Sequence, residues 1–181
     1  VGERFYFSKP KIIEFLFSYR KGWLIYTPVM ILIFRGLFLS WKRKRIWGFS
    51  PFLILVISTY VFSSWWCWWV GGSFGMRCMI DFYPIFAIIL AENFVYKTKT
   101  NKLIIYIFSC LFILLNLFQT QQRRNLVIHW DSMTKDSYWS FFATLKMKKA
   151  ENWEKQKELL SSPDYEKAKK GKREYEFSVF N

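Results

Sequence analysis

Residues Lys102 to Gln119 read KLIIYIFSCLFILLNLFQ. Wound as a helix, this run is apolar around its whole circumference, with only Ser109 and Cys110 intervening between Leu103 and Leu115. A buried helix of a soluble protein usually carries a polar stripe at helical spacing, and none is present here. The run also reaches the ~17–20 residues needed to cross the hydrocarbon core of a bilayer. It predicts a transmembrane helix, and the rest of the chain must be compatible with a membrane.

Three more segments have comparable character. Trp23 to Phe34 (WLIYTPVMILIF) extends through RGLFLSW to Trp41, Phe49 to Trp66 reads FSPFLILVISTYVFSSWW, and Met79 to Tyr96 reads MIDFYPIFAIILAENFVY. Pro28 predicts a kink in the first, tolerable where a neighbouring helix repairs the lost hydrogen bond. Arg35 is expensive at the bilayer centre but can snorkel to the headgroups from near a helix end. The expected fold is all-α: a polytopic membrane protein fragment with about four transmembrane helices and a polar, partly helical tail. Its parts are an interfacial or outer segment over 1–22, a four-helix membrane region over 23–119 and an extracytoplasmic tail over 120–181. Within the first part, Lys11 to Tyr19 fits either an interfacial helix or a buried helical turn.

Charge placement supports this division. Of the 27 Lys and Arg residues, 14 fall in residues 1–118 beside only 4 of the 13 acids. Basic residues among apolar runs flank membrane spans and meet anionic headgroups, whereas a nucleic-acid binder would display a basic stripe on a soluble face. Nucleic acid is therefore excluded as the expected partner, and the lipid bilayer takes its place. The loops WKRKR (Trp41 to Arg45) and KTKTNK (Lys97 to Lys102) fall on one side of four spans, which the positive-inside rule makes cytoplasmic. Arg20, Lys21, Arg123 and Arg124 then flank spans on the outer side, against the rule. The expected location is a bacterial inner membrane, with the loop after the second span and the tail facing the periplasm. The chain starts at Val1 without a signal-peptide pattern and is expected to be the C-terminal piece of a larger protein.

In the tail, Met133 to Leu160 reads as one or two helices with Asp131 or Ser132 as N-cap. Ser161-Ser-Pro163 reads as a turn before a highly charged end. Three cysteines, Cys67, Cys78 and Cys110, make no disulfide framework. Cys67 and Cys78 are near enough in sequence to pair in an oxidising compartment, or else remain free thiols.

The loop between the second and third spans is the most informative stretch: Trp65 to Arg77, WWCWWVGGSFGMR. Indoles at the end of a span suit the headgroup level, so one reading is an aromatic belt followed by a turn. That reading leaves Gly71, Gly72 and Gly75 unexplained, because glycines permit sharp turns and close approach to a ligand. The other reading is a ligand site, with Arg77 as a forked donor to phosphate and the Trp68 and Trp69 faces against sugar or lipid. Asp81 and Tyr83 follow at the mouth of the third span.

Taken in order, RKGWLIYTP (Arg20 to Pro28), WKRKR, WWCWWVGGSFGMR and DFYP (Asp81 to Pro84) resemble the C-terminal part of bacterial GT-C class membrane glycosyltransferases. These are similar to dolichyl-phosphate-mannose protein mannosyltransferases. The resemblance covers residues 18–96, rests on the combination rather than any one piece, and has a weaker echo in HWDSMT of the tail. Val70 departs from it, standing where an aromatic is expected. It implies an enzyme that moves a sugar from a polyprenyl-phosphate-linked donor to an acceptor outside the cytoplasm. The implied lipid-phosphate and donor-binding residues are Arg77, Gly71, Gly72, Trp68, Trp69, Asp81, Arg20 and Tyr26. The family's catalytic base lies in an outer loop far upstream, so no catalytic residue is assigned here, the fragment is expected to be inactive alone, and the missing N-terminal part becomes a partner. No cofactor and no metal is assigned. Asp81 is expected to cap its helix or pair with Arg77.

The remaining polar residues have simpler expectations. The lone His129 lacks partner ligands at metal spacing, Glu92 is placed to pair with Lys97 or Lys99, and Asn93 and Asn116 are placed for interhelical hydrogen bonds. The competing function is a non-enzymatic membrane assembly or lipid-binding scaffold that uses the same aromatic loop as an anchor.

Overall fold

The structure, a computed structural model, describes residues 3–95, 99–147 and 149–170. Lys97 of the second basic loop and the end of the charged tail, 171–181, lie outside the described residues. Among those residues every regular element is helical, as the apolar runs require, and the extended contact is an isolated antiparallel bridge between Phe5 and Trp65. The elements are α1 (Ile12–Phe17), α2 (Trp23–Tyr26), α3 (Ile31–Lys42), α4 (Phe49–Ser63), α5 (Tyr83–Ala91), α6 (Lys99–Arg124), α7 (Lys135–Ser140), α8 (Ala150–Leu159) and α9 (Tyr165–Lys169). Short 3-10 turns at Pro28–Met30, Ile46–Gly48 and Arg77–Phe82 precede α3, α4 and α5.

The apolar segments form helices of unequal length. Residues 102–124 of α6 are long and apolar enough to cross a membrane, and only a small share of them is buried. The apolar α4 stops at Ser63, three residues short of the expected end. The first and third runs are interrupted. Pro28 has no backbone N–H, so α2 ends at Tyr26 and the chain passes through a 3-10 turn before α3 begins. The third run begins as the 3-10 turn Arg77–Phe82, with Pro84 entering the first turn of α5.

The break at Pro28 is repaired from α6. Asn116 Nδ2 donates to the Tyr26 carbonyl. One turn further on, Gln119 Nε2 donates to the Ile25 carbonyl at 3.1 Å and to the Tyr138 hydroxyl at 2.8 Å. A polar pair three residues apart on α6 thus satisfies carbonyls that the interrupted helix leaves open.

Helix α3 packs against α5. The approach is close because residue 36 is glycine: a Cβ there would stand 2.2 Å from the Ile89 carbonyl oxygen. At the far end of this pair, Asn93 Nδ2 donates to the Leu32 carbonyl at 3.0 Å and Arg35 Nη1 donates to Asn93 Oδ1 at 2.8 Å. Arg35 is thereby satisfied within the protein, and Asn93 fills the interhelical role expected of it. Glu92 is buried and pairs with Arg43 at 2.5 Å and Arg45 at 3.5 Å, tying WKRKR to the end of α5. Lys97 and Lys99, its expected partners, have side chains outside the described residues.

The main core joins Phe15, Trp23, Ile33, Trp68, Trp69, Met79, Phe86 and Ile89. A second cluster ties Tyr26 to Ile128, Met133 and Tyr138 of the tail. In the tail, Thr134 caps α7, its Oγ1 accepting from Ser137 N at 3.2 Å, in place of the expected Asp131 or Ser132. Those two residues are buried instead, because the segment ahead of α7 turns inward. Gln122 Nε2 donates to the carbonyls of Phe141, Phe142 and Thr144, closing the end of α7 onto α6.

Candidate functional site

The loop from Trp65 to Arg77 lies between the start of the chain and its tail. Trp68 and Trp69 are 2% and 1% exposed, edge to face with centroids 5.8 Å apart, and Trp66 is also buried. The aromatic-belt reading therefore does not hold for these three indoles: their faces meet protein, since the tail folds back over them. Trp65 is the partly exposed member, packed on Phe5 at 4.5 Å.

Beyond the indoles the backbone reverses through left-handed conformations at Val70, Gly71 and Gly75, with φ of 51°, 60° and 57°. Gly75 is required twice over, since a Cβ there would also lie 3.1 Å from Tyr26 Cβ. Gly72 approaches the Trp130 ring, which a Cβ would meet at 3.2 Å. Val70, which stands where the resemblance expects an aromatic, is a β-branched residue at positive φ and so a strained position.

Lys21 holds this turn. Its side chain is buried, and Nζ donates to the carbonyls of Gly71 and Ser73, the latter at 2.6 Å, and to Ser73 Oγ at 3.2 Å. Burial pulls its amine down to about 8, an effect that Asp131 opposes and Arg123 reinforces. Arg20 is buried beside it: its guanidinium donates to the Ser161 carbonyl at 2.9 Å and lies 5.5 Å from the Trp69 ring centroid. Asp131 is 3% exposed, and its Oδ2 accepts from the Tyr165 hydroxyl at 2.8 Å. Burial, then Asp131, push the Tyr165 phenol up to about 12, so it remains a donor at neutral pH.

Of the residues expected to form a donor site, Arg20, Trp68, Trp69, Gly71, Gly72 and Tyr26 come together here. Tyr26 belongs to the core: it is 1% exposed, its hydroxyl donates to the Tyr19 carbonyl at 2.5 Å, and its ring stands edge-on to Phe74. Arg77 and Asp81 do not join the cluster. Both are exposed at the two ends of the Arg77–Phe82 turn, and no ion pair links them among the described residues. Asp81 caps no helix either, because Met76 and Phe82 occupy the cap positions of the turn and of α5. Tyr83 faces inward, accepting from Trp23 Nε1 at 3.3 Å and lying 3.4 Å from Thr27 Oγ1.

Lys21, Asp131 and Tyr165 are the residues that sequence reasoning left out. Lys21 was visible only as a flanking charge, and Asp131 only as an N-cap candidate and as part of the HWDSMT echo. His129 serves structure, its Nδ1 accepting from the backbone N–H groups of Asp131 and Ser132 at 3.2 and 2.9 Å. Burial lowers its pKa, which keeps that nitrogen an acceptor. No metal-binding group of His, Cys, Asp and Glu occurs among the described residues. Cys67 and Cys78 are free thiols, both pushed up by burial, Cys78 to about 12. The chain matches no family model, no curated protein and no solved structure.

Proposed function

We propose that the chain is the C-terminal portion of an integral-membrane glycosyltransferase of the GT-C class, set in a bacterial inner membrane with the Trp/Gly loop and tail on the periplasmic side. The donor is a sugar on a polyprenyl phosphate. In the transfer, the bond from the anomeric carbon to the phosphate oxygen breaks and a bond to the acceptor oxygen forms. The acceptor proton goes to a base in the missing N-terminal part, and the negative charge stays on the lipid phosphate. The membrane assignment draws support from α6 and from the exposed apolar faces of α3 and α4, including Phe34, Phe38, Trp41, Phe49, Phe52 and Ile57. Four spans, counting the interrupted first and third runs, are part of the same proposal.

One observation carries the site. Within a loop whose turn is pinned by a buried lysine, Arg77 is exposed and has no side-chain partner among the described residues. A guanidinium presented in this way is available to the phosphate of a lipid carrier, where a bidentate contact stabilises the leaving group. Arg20 and Lys21 hold the loop from behind, and Gly71, Gly72, Trp68 and Trp69 shape it. The test is sugar transfer from a polyprenyl-phosphate donor by the full-length protein. Arg77→Ala is expected to lower transfer about 100-fold, with partial recovery in Arg77→Lys. Unchanged transfer at normal expression would remove Arg77 from the site.

A lipid-binding scaffold is the second reading. It is favoured by an apolar groove of about 640 Å³ between α3 and α4, whose lining includes Phe38, Trp41, Phe49 and Phe52 with Arg45. The coding sequence ahead of Val1 separates the two. An open frame with further spans and an acidic outer loop supports the enzyme, and a nearby start codon supports the scaffold.

A further inference from the structure

Helix α9 brings one aromatic residue of the tail onto the tryptophan loop. Asp164 caps the helix through Lys167 N at 3.0 Å, and Tyr165 then stands edge-on to Trp66 and Trp69, with centroids 6.3 and 5.7 Å away. Its hydroxyl reaches Asp131, as described above. The three residues packed against Tyr165 carry buried polar atoms without a hydrogen-bond partner: Trp66 Nε1, Trp69 Nε1 and Asp131 Oδ1. The Trp69 indole is near enough to the Tyr165 oxygen to favour its ionised form, but it does not reach hydrogen-bond geometry.

Leaving such atoms unpaired costs about 1–3 kcal/mol each. Packing alone does not call for them, since phenylalanine would supply similar apolar surface without the N–H. Two donors and one acceptor left open on residues that pack against a flat ring bearing a hydroxyl are instead a recognition pattern.

We propose that Trp66, Trp69 and Asp131 form a binding subsite for a neutral polyhydroxylated ring, a sugar, and that Tyr165 occupies this subsite as an internal stand-in. The chemistry selects that class. A carboxylate oxygen with free acceptor capacity accepts a hydrogen bond from a ring hydroxyl, and an indole N–H donates to the oxygen of another. The aromatic surfaces cover the C–H groups of the ring. An anionic ligand would meet the Asp131 carboxylate, and a cationic one would meet Arg20 and Lys21 beside it. Tyr165 already supplies one such hydroxyl and leaves the other three polar atoms unanswered. It is also the replaceable member, 37% exposed on a five-residue helix at the edge of the fold, whereas Trp66, Trp69 and Asp131 are buried. The segment is held by Ala168 in the core, by Lys169 over the Trp66 ring at 5.5 Å, and by a hydrogen bond from the Tyr6 hydroxyl to the Lys169 carbonyl. With the segment so held, removing the Tyr165 side chain opens the subsite while α9 stays in place.

The choice of a sugar as probe agrees with the glycosyltransferase reading, on which the subsite would hold the acceptor or the transferred sugar, but the geometry stands without it. The chain is purified in a non-glycosidic detergent and titrated with methyl α-D-mannopyranoside, methyl β-D-glucopyranoside and methyl β-D-galactopyranoside. Tryptophan fluorescence and saturation-transfer NMR are the readouts. Tyr165→Ala is expected to bind at least one hexoside about tenfold more tightly than the unaltered chain, the gain expected when an internal competitor is removed. On that background Asp131→Asn and Trp66→Phe should each reverse most of the gain. A Tyr165→Ala protein with unaltered circular dichroism and no gain overturns the proposal, as does a gain indifferent to both second substitutions. If Tyr165→Ala does not fold, Tyr165→Phe decides: it keeps the ring and removes the hydroxyl, and it should show a smaller gain that Asp131→Asn again reverses, no gain overturning the proposal. Transfer activity in the full-length protein with no hexoside binding overturns the subsite alone. Hexoside binding without any transfer overturns the glycosyltransferase reading and leaves the subsite standing.

Discussion

The Lys21 ammonium donates to the Ser73 carbonyl oxygen at 2.6 Å across 52 residues of chain, and it fastens the tryptophan–glycine loop to the segment ahead of the first apolar run. A buried lysine held mainly by backbone carbonyls has, among the described residues, no carboxylate in direct contact to offset its desolvation, and its amine is pulled down to about 8.

That shift makes stability depend on pH in a defined direction. The Lys21 pKa is about 8 in the folded protein against 10.5 for the unperturbed amine. Between those values the unfolded chain holds more protons than the folded one, so stability rises with pH through this window. Below pH 8 the penalty for burying the charge is complete and the slope from this group vanishes. Thermal unfolding in detergent at pH 7 and pH 9.5 should show the unaltered chain gaining about 1–3 kcal/mol relative to Lys21→Met, which cannot titrate. Equal pH slopes in the two proteins would contradict the assignment.

At the opposite end of the helices, Glu92 has two arginine partners while being only 2% exposed. Glu92→Gln leaves Arg43 and Arg45 facing each other without the intervening charge. The arginines reach solvent, so the loss is expected at about 1–2 kcal/mol, less than for a fully buried pair. The exposed Glu154–Lys157 pair is the control: Glu154→Gln should not shift unfolding measurably. Similar losses for both substitutions would mean that Glu92 does not tie WKRKR to α5.

Two glycines separate steric contact from backbone strain. Gly36→Ala drives a Cβ to 2.2 Å from a backbone oxygen of α5, and backbone cannot step aside as a flexible side chain would. It should cost about 2–3 kcal/mol and loosen α3 from α5. Gly71→Ala meets nothing within 4 Å and incurs only the penalty of a positive φ, about 1–2 kcal/mol. Denaturant midpoints should rank Gly36→Ala below Gly71→Ala, and the reverse order would argue against the close α3–α5 approach.

How much of this was readable in advance depended on how local each cause is. The helix α6 follows from apolarity around a continuous circumference, and the break before α3 follows from the missing N–H of Pro28. Asn116 was readable as an interhelical donor because amides in an apolar run need acceptors. The belt reading of the tryptophans rested on their place after an apolar run, which suits a membrane interface, and only the return of the tail shows that Trp66, Trp68 and Trp69 meet protein. Lys21, Asp131 and Tyr165 come from three distant segments, and no spacing rule joins residues that only tertiary folding brings together. Arg77 and Asp81, close in sequence and opposite in charge, invited pairing, yet the intervening 3-10 turn leaves both exposed. The helical class was therefore legible from the residues, while the interior of the site was not.

The membrane reading itself yields the sharpest contrast in sign and size. Ile113 lies midway along Lys102–Arg124 and is 49% exposed, among exposed neighbours such as Leu111, Leu114 and Leu117. If this face meets acyl chains, Ile113→Arg places a guanidinium near the bilayer centre, at a cost of about 2.5–3.5 kcal/mol for insertion. If the same face meets water, arginine for an exposed isoleucine changes stability by roughly 0.5 kcal/mol or less. Leu145, 46% exposed in the tail, supplies the matched control. Expressed in bacteria and extracted with alkaline carbonate, the Ile113→Arg chain should show a reduced membrane-retained fraction, while Leu145→Arg should match the unaltered protein. Equal retention of all three would place the exposed face of α6 against something other than lipid.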